Sequence, residues 1–195
     1  MDNQKIRSFI AIELPPGLRK KIAEFQAGLK KPEWDFVRWV GPDLMHLTLK
    51  FLGNQSAARL DIVKTVLAAV VVDCRSFNLL TGQTGSFPDG KRIRVFWLGL
   101  EGEIERLQNL QKAIDVSLAA RGFPVEKSPF TAHLTLARLR DECSMQKKNA
   151  FADSIRGVRF EPTLNFTADQ IVLMKSILTP KGPLYTKLAE YKLSA

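Results

Sequence analysis

The chain has 195 residues, 45% of them hydrophobic and 25% charged, the balance of a folded protein with a real core and not of a disordered segment. No stretch approaches the about 18 consecutive apolar residues that a membrane-crossing helix needs, and the opening MDNQKIRSFIAIELPP reads as a strand, not a signal peptide. Twenty-nine Lys and Arg against 20 Asp and Glu leave a net charge of +9, which attracts polyanions, nucleic acid first among them, although the same surplus also serves plain solubility. Two cysteines, Cys74 and Cys143, are too few for a disulfide framework and suit a reducing cytoplasm.

In chain order, residues 5–14 read as a buried strand ended by Pro15-Pro16. Leu18, Ile22, Phe25 and Leu29 then form one apolar stripe of a helix. Residues 34–40 form a short strand closed by Gly41-Pro42, and residues 46–52 alternate as a strand up to Gly53. Ser56 is placed to cap a helix carrying Leu60, Val63, Leu67 and Val70. Strands at 77–80 and 93–100 flank a Gly-rich loop over 81–92, read as an ordinary connection, with Gly82, Gly85, Gly90, Lys91 and Arg92 as an alternative phosphate cradle. Ile104, Leu107, Ile114 and Leu118 share a helical face that Gly122 ends. A strand at 131–139, a helix at 145–154, strands at 158–167 and 169–178, a turn at 180–183 and a helical or extended segment over 185–193 complete the pattern. No Ser/Gly linker divides the chain, so residues 1–195 are expected to form a single bilobal α+β domain. Each lobe is expected to be an antiparallel sheet flanked by helices, with a cleft between the two.

The tetrapeptide HLTL occurs twice, at His46-Leu47-Thr48-Leu49 and at His133-Leu134-Thr135-Leu136, and holds both histidines of the chain. Each copy follows a strand–helix unit and precedes another helix, the pattern of an internal duplication. On a strand, His and Thr face one way and the two leucines the other. If the two halves pack with their sheets facing, two imidazoles and two hydroxyls converge on one point. Such a site suits in-line cleavage of a phosphodiester: one neutral imidazole takes a proton from the attacking hydroxyl or water and one imidazolium protonates the leaving oxygen. Nothing in the residues says which histidine plays which part. A metal centre is not expected, because Cys74 and Cys143 form no close pair and neither histidine has an acidic neighbour four residues on. No P-loop is present, so ATP use through that fold is not expected.

With these flanks the sequence resembles the two-histidine (2H) phosphoesterases and, within them, the bacterial and archaeal RNA 2',3'-cyclic phosphodiesterases, also called 2'-5' RNA ligases. RSFIAIELP, RWVGPDLMHLTLKFLG, FPDGKRIRVFWLGL, SPFTAHLTLAR and LMKSILTPKGPLYTKL carry the resemblance over nearly the whole chain. It implies His46 as the proton donor to the 3'-oxygen, His133 as the proton acceptor that activates water, and Thr48 and Thr135 as holders of the phosphate oxygens. The product would be a 2'-phosphate, with 2'-5' joining as a minor activity. Arg138 matches the resemblance too, but its strand parity is opposite to that of Thr135, which places it at the cleft edge or outside it. Phe51 and Phe9 are candidates for stacking on a base, with packing slightly favoured for both. The implied partner is RNA with 2',3'-cyclic phosphate ends, tRNA fragments included, met by a cytoplasmic monomer without membrane, metal or cofactor. Rival readings are a 2H enzyme for 2'-5' oligoadenylates or a small cyclic nucleotide phosphate, and an RNA-binding module without turnover.

Overall fold

The computed structural model describes residues 5–90, 92–180 and 182–194. Among these residues, nine strands and four α-helices follow in the order β1 (Ile6–Glu13), α1 (Pro16–Leu29), β2 (Val37–Trp39), β3 (His46–Gln55), α2 (Ala57–Val70), β4 (Phe77–Phe87), β5 (Val95–Gly102), α3 (Ile104–Ala119), β6 (His133–Leu139), α4 (Met145–Ile155), β7 (Asn165–Ala168), β8 (Gln170–Thr179) and β9 (Gly182–Lys192). Local chemistry accounts for the helix ends. Pro16 pre-sets the first turn of α1. Ser56 and Ser144 cap α2 and α4 by accepting from the Arg59 and Lys147 amides. Gly122, at φ +76, closes α3 where a side chain would be strained, and Phe123 N–H bonds back to Leu118.

All strand pairings are antiparallel, in a four-stranded sheet ordered β3-β1-β8-β9 and a five-stranded sheet ordered β2-β6-β5-β4-β7. The lobes are therefore not the two halves of the sequence. Each half contributes its first strand and its motif strand to one sheet (β1 and β3, β5 and β6), then sends a later strand, β4 or β8, into the other. One core binds both sheets: Ile10, Ile12, Leu47 and Leu173 from the first join Leu79, Phe96, Leu98 and Leu134 from the second. Burying such a side chain contributes about 1.5–3 kcal/mol. A one-residue slip of either motif strand would expose two leucines at once, and this fixes which face the histidines occupy. The opposite face of the first sheet carries only a small cluster, Phe9, Ala11, Val172 and Met174, with Tyr185 packed against it.

Several boundaries differ from the sequence expectation. The stretch expected as a Gly-rich loop is largely strand: β4 runs to Phe87 and pairs with β5 as far as Val95. Its glycines make room for side chains of β5, because a Cβ on Gly85 would meet the Trp97 ring at 2.3 Å and one on Gly82 would meet the Glu101 carboxylate at 2.6 Å. Lys91 of the proposed cradle and Lys181 of the 180–183 turn lie outside the described residues. The strand expected over 158–167 is confined to Asn165–Ala168, and the closing segment is the strand β9.

Candidate active site

β3 and β6 lie next to one another at the seam between the sheets, and each opens on HLTL. The leucines of both motifs are buried while His46, Thr48, His133 and Thr135 are only partly buried, the alternation expected. In each strand a β-bulge follows. The pairing of β3 with β1 steps from Ala11–Thr48 to Ile10–Lys50, and that of β6 with β5 from Trp97–Thr135 to Phe96–Ala137. A bulge adds one residue and resets which side chains share a face. Residue 51 therefore returns to the face of His46 and Thr48, and residue 138 to the face of His133 and Thr135.

Arg138 thus departs from the parity expected of it. Its guanidinium lies close enough to act electrostatically on His46, His133 and Tyr185 together. Phe51 is 59% exposed and is no core residue, while Phe9 is buried, 3% exposed, and stacks on the His46 ring at 4.6 Å and 26°. Of the two aromatics, packing holds for Phe9 alone. Lys50, displaced by the bulge, turns inward instead. It is buried against Asp115 of α3 and donates to the Pro124 carbonyl at 2.8 Å.

The two imidazoles are locked in the same way. Nδ1 of His46 meets the Leu44 carbonyl at 2.9 Å, and Nδ1 of His133 meets the Thr131 carbonyl at 2.7 Å. A carbonyl only accepts, so Nδ1 carries the hydrogen and Nε2 is left free to exchange a proton. Burial pushes His46 down to about 4; the Leu44 bond opposes it, Arg138 adds to it and the Glu13 carboxylate opposes it again. Burial also lowers His133, opposed by Thr131 and reinforced by Arg138. Neither threonine hydroxyl has a protein hydrogen-bond partner among the described residues, which leaves both available to a ligand.

The surroundings of the two histidines differ. Phe9 and Tyr185 flank His46, Tyr185 edge-on at 5.3 Å, and His46 also lines a cavity of about 260 Å³ with Glu13, Arg19, Asp43 and Lys187. His133 is flanked by Phe87, edge-on at 5.0 Å, and by Trp97 at 6.2 Å. Sequence reasoning missed Tyr185, Trp97 and Phe87, which come from strands distant in the chain. Among the described residues no three His, Cys, Asp or Glu side chains converge on a possible metal position, and no helix is long and apolar enough to cross a membrane.

Two proton-exchanging nitrogens, two free hydroxyls and one arginine on a shared face can grip a phosphate and pass a proton across it. The LigT-like phosphoesterase family model matches residues 12–97 and again residues 98–185, one copy for each HLTL. The chain belongs to this family. It is 30% identical over 97% of its length to the full length of a Methanothermobacter thermautotrophicus protein named RNA 2',3'-cyclic phosphodiesterase. A Thermotoga maritima protein of the same name is 31% identical over 95% of this chain and 94% of its own. Escherichia coli LigT complexed with 3'-AMP superposes with a TM-score of 0.80 at 25% identity, covering 98% of this chain and all of that one.

Proposed function

We propose that this phosphoesterase hydrolyses 2',3'-cyclic phosphate ends of RNA to 2'-phosphates without a metal ion. The convergence of Arg138 with two histidines whose free nitrogens are both Nε2 is the observation that carries the reading. The Thr48 and Thr135 hydroxyls and the Arg138 fork hold the two non-bridging oxygens, where negative charge grows in the transition state. His133, neutral, takes a proton from water as its oxygen bonds to phosphorus. The P–O3' bond breaks on the opposite side, and its electron pair takes the proton from Nε2 of His46. The phosphate stays on O2', and solvent returns the proton from His133 to His46.

His46 must be protonated for this, although its pKa in the free protein is about 4. The negative cyclic phosphate offsets the Arg138 charge and favours the imidazolium once bound. Assigning the acid to His46 follows the family resemblance and fits Glu13, the one carboxylate among the described residues that favours its charged form. A 5'-hydroxyl in the water's place gives a 2'-5' linkage by the same steps, a minor outcome in water. The RNA substrate also fits the net charge of +9.

The test is turnover of an oligonucleotide ending in a 2',3'-cyclic phosphate by EDTA-treated wild type, His46→Ala and His133→Ala, with the product phosphate located. A 2'-phosphate product lost in both variants is expected. A folded wild type that leaves the cyclic end intact would overturn the assignment.

A further inference from the structure

One pair of like charges in the second sheet has no partner among the described residues. β2 joins β6 with Val37 opposite Leu139, Arg38 opposite Arg138 and Trp39 opposite Ala137. Val37, Leu139 and Ala137 are buried, and Trp39 packs edge-on against Phe96 and Phe151. Arg38 therefore points the other way, onto the open face that carries Arg138. Directly opposed residues of an antiparallel pair stand about 4.5–5.5 Å apart at Cα, and like charges so placed destabilise a sheet. Among the described residues neither guanidinium has a carboxylate to offset this. The nearest acids along the chain, Asp35 and Asp141, pair with Lys147 and Arg94 instead.

Two opposed forks without an acid make a place for an anion, because a guanidinium grips phosphate oxygens through paired, directed N–H groups. Arg138 acts on both histidines and so belongs to the reacting phosphate. Arg38 stands one strand further out, on the edge strand of the sheet. An RNA chain carries its next negative charge one nucleotide from the cyclic end, and a single nucleotide has none there. We propose that Arg38 is a specificity residue that holds the internucleotide phosphate next to the cyclic end. The site then prefers an RNA chain over a lone nucleoside 2',3'-cyclic phosphate. This rests on the cyclic-phosphate assignment above and adds the length of the substrate to it.

The experiment compares kcat/KM for a nucleoside 2',3'-cyclic phosphate and for a trinucleotide ending in the same group, using wild type, Arg38→Gln and Arg38→Lys. Alongside it, Kd for the 2'-phosphate forms of both ligands is measured across a salt series. Wild type should favour the trinucleotide by about tenfold, equivalent to ~1.4 kcal/mol. Arg38→Gln should erase that preference while leaving the mononucleotide within about twofold, and Arg38→Lys should restore part of it. For the trinucleotide, the slope of log K against log salt should shrink by about 0.7 in Arg38→Gln, one phosphate contact on a single strand. Arg38 is exposed, so neither change disturbs the core. Equal losses on both ligands, or none on either, would overturn the proposal. If wild type turned over neither substrate, the cyclic-phosphate assignment would be what failed. The salt series then still decides: a slope unchanged by Arg38→Gln refutes the phosphate contact, and a reduced slope upholds it.

Discussion

The two histidine half-sites share a tetrapeptide, a following bulge and an Nδ1 bond to the carbonyl two residues back, and they differ in nearly everything around these. The position after the bulge is Phe51 in one and Arg138 in the other. The displaced residue is Lys50, neutralised by Asp115, in one and the fully buried Ala137 in the other. His46 lies under Phe9 and Tyr185 with Glu13 in reach, while His133 lies between Phe87 and Trp97 with no acid acting on it. A duplicated frame thus fixes where the two imidazoles stand, and their neighbours differ. In the proposed mechanism, one half would offer an exposed aromatic face to a base and the other the positive charge for the phosphate.

The sharpest way to break this comparison is to ask whether the two histidines are interchangeable. On a cyclic phosphate, His46→Ala and His133→Ala should each lose about 10²–10⁴-fold in kcat, the usual worth of a positioned acid or base. An aryl phosphodiester, whose phenolate leaves without a proton, should restore His46→Ala to within about tenfold of wild type and leave His133→Ala inactive. Restoration of His133→Ala instead would exchange the two roles.

The displaced residues separate the halves by stability. Asp115→Ala leaves the Lys50 ammonium buried without its carboxylate and should cost about 3 kcal/mol in denaturant unfolding. The second half holds only Ala137 at that place and has no comparable pair. An unchanged midpoint would mean that Lys50 finds water or another acceptor. Next comes the pair after the bulges. Arg138→Ala should lower kcat/KM by about 10²-fold, and both histidines should titrate higher when followed by NMR, because Arg138 lowers both. Phe51→Ala should cost about tenfold, mainly in KM, within the range of one base stacked on an aromatic ring, and should move neither titration.

Much of this was legible in the chain. Alternation alone put His and Thr on one face and both leucines in the core, because burial of two leucines outweighs any other register. What alternation could not show was the bulge. Leu49-Lys50 and Leu136-Ala137 carry no glycine or proline to mark it, so Arg138 read as facing away and Phe51 as packing. The reverse error arose over 81–87, where Gly82 and Gly85 suggested a loop. Those glycines answer to Glu101 and Trp97 lying across them, a contact made by another strand. The exchange of β4 and β8 between the sheets was invisible for the same reason, since pairing between distant strands leaves no local pattern. Tyr185 reaches His46 only through that exchange, because β9 joins the first sheet by way of β8.

The smallest expected effect tests the electrostatic side of the comparison. Both histidines are held neutral by burial, so kcat/KM, which reports the free enzyme, should peak below pH 6.5. It should fall on the alkaline side as the acid loses its proton. Glu13→Gln removes the carboxylate that favours His46 imidazolium and should move the falling limb to lower pH, with no such shift of the rising limb set by His133. Stability must follow the same asymmetry. His46 has a folded pKa near 4 and an unfolded one near 6.5, so between those values the unfolded chain binds the extra proton. The fold is then favoured as pH rises through that window and loses stability as pH falls through it, by at most about 1.4 kcal/mol per pH unit. His46→Gln cannot titrate and should flatten that slope, seen as a smaller change in thermal midpoint between pH 6.5 and 4.5. Part of the slope should remain, because burial lowers His133 as well; a slope left wholly unchanged would mean that His46 does not carry the coupled proton.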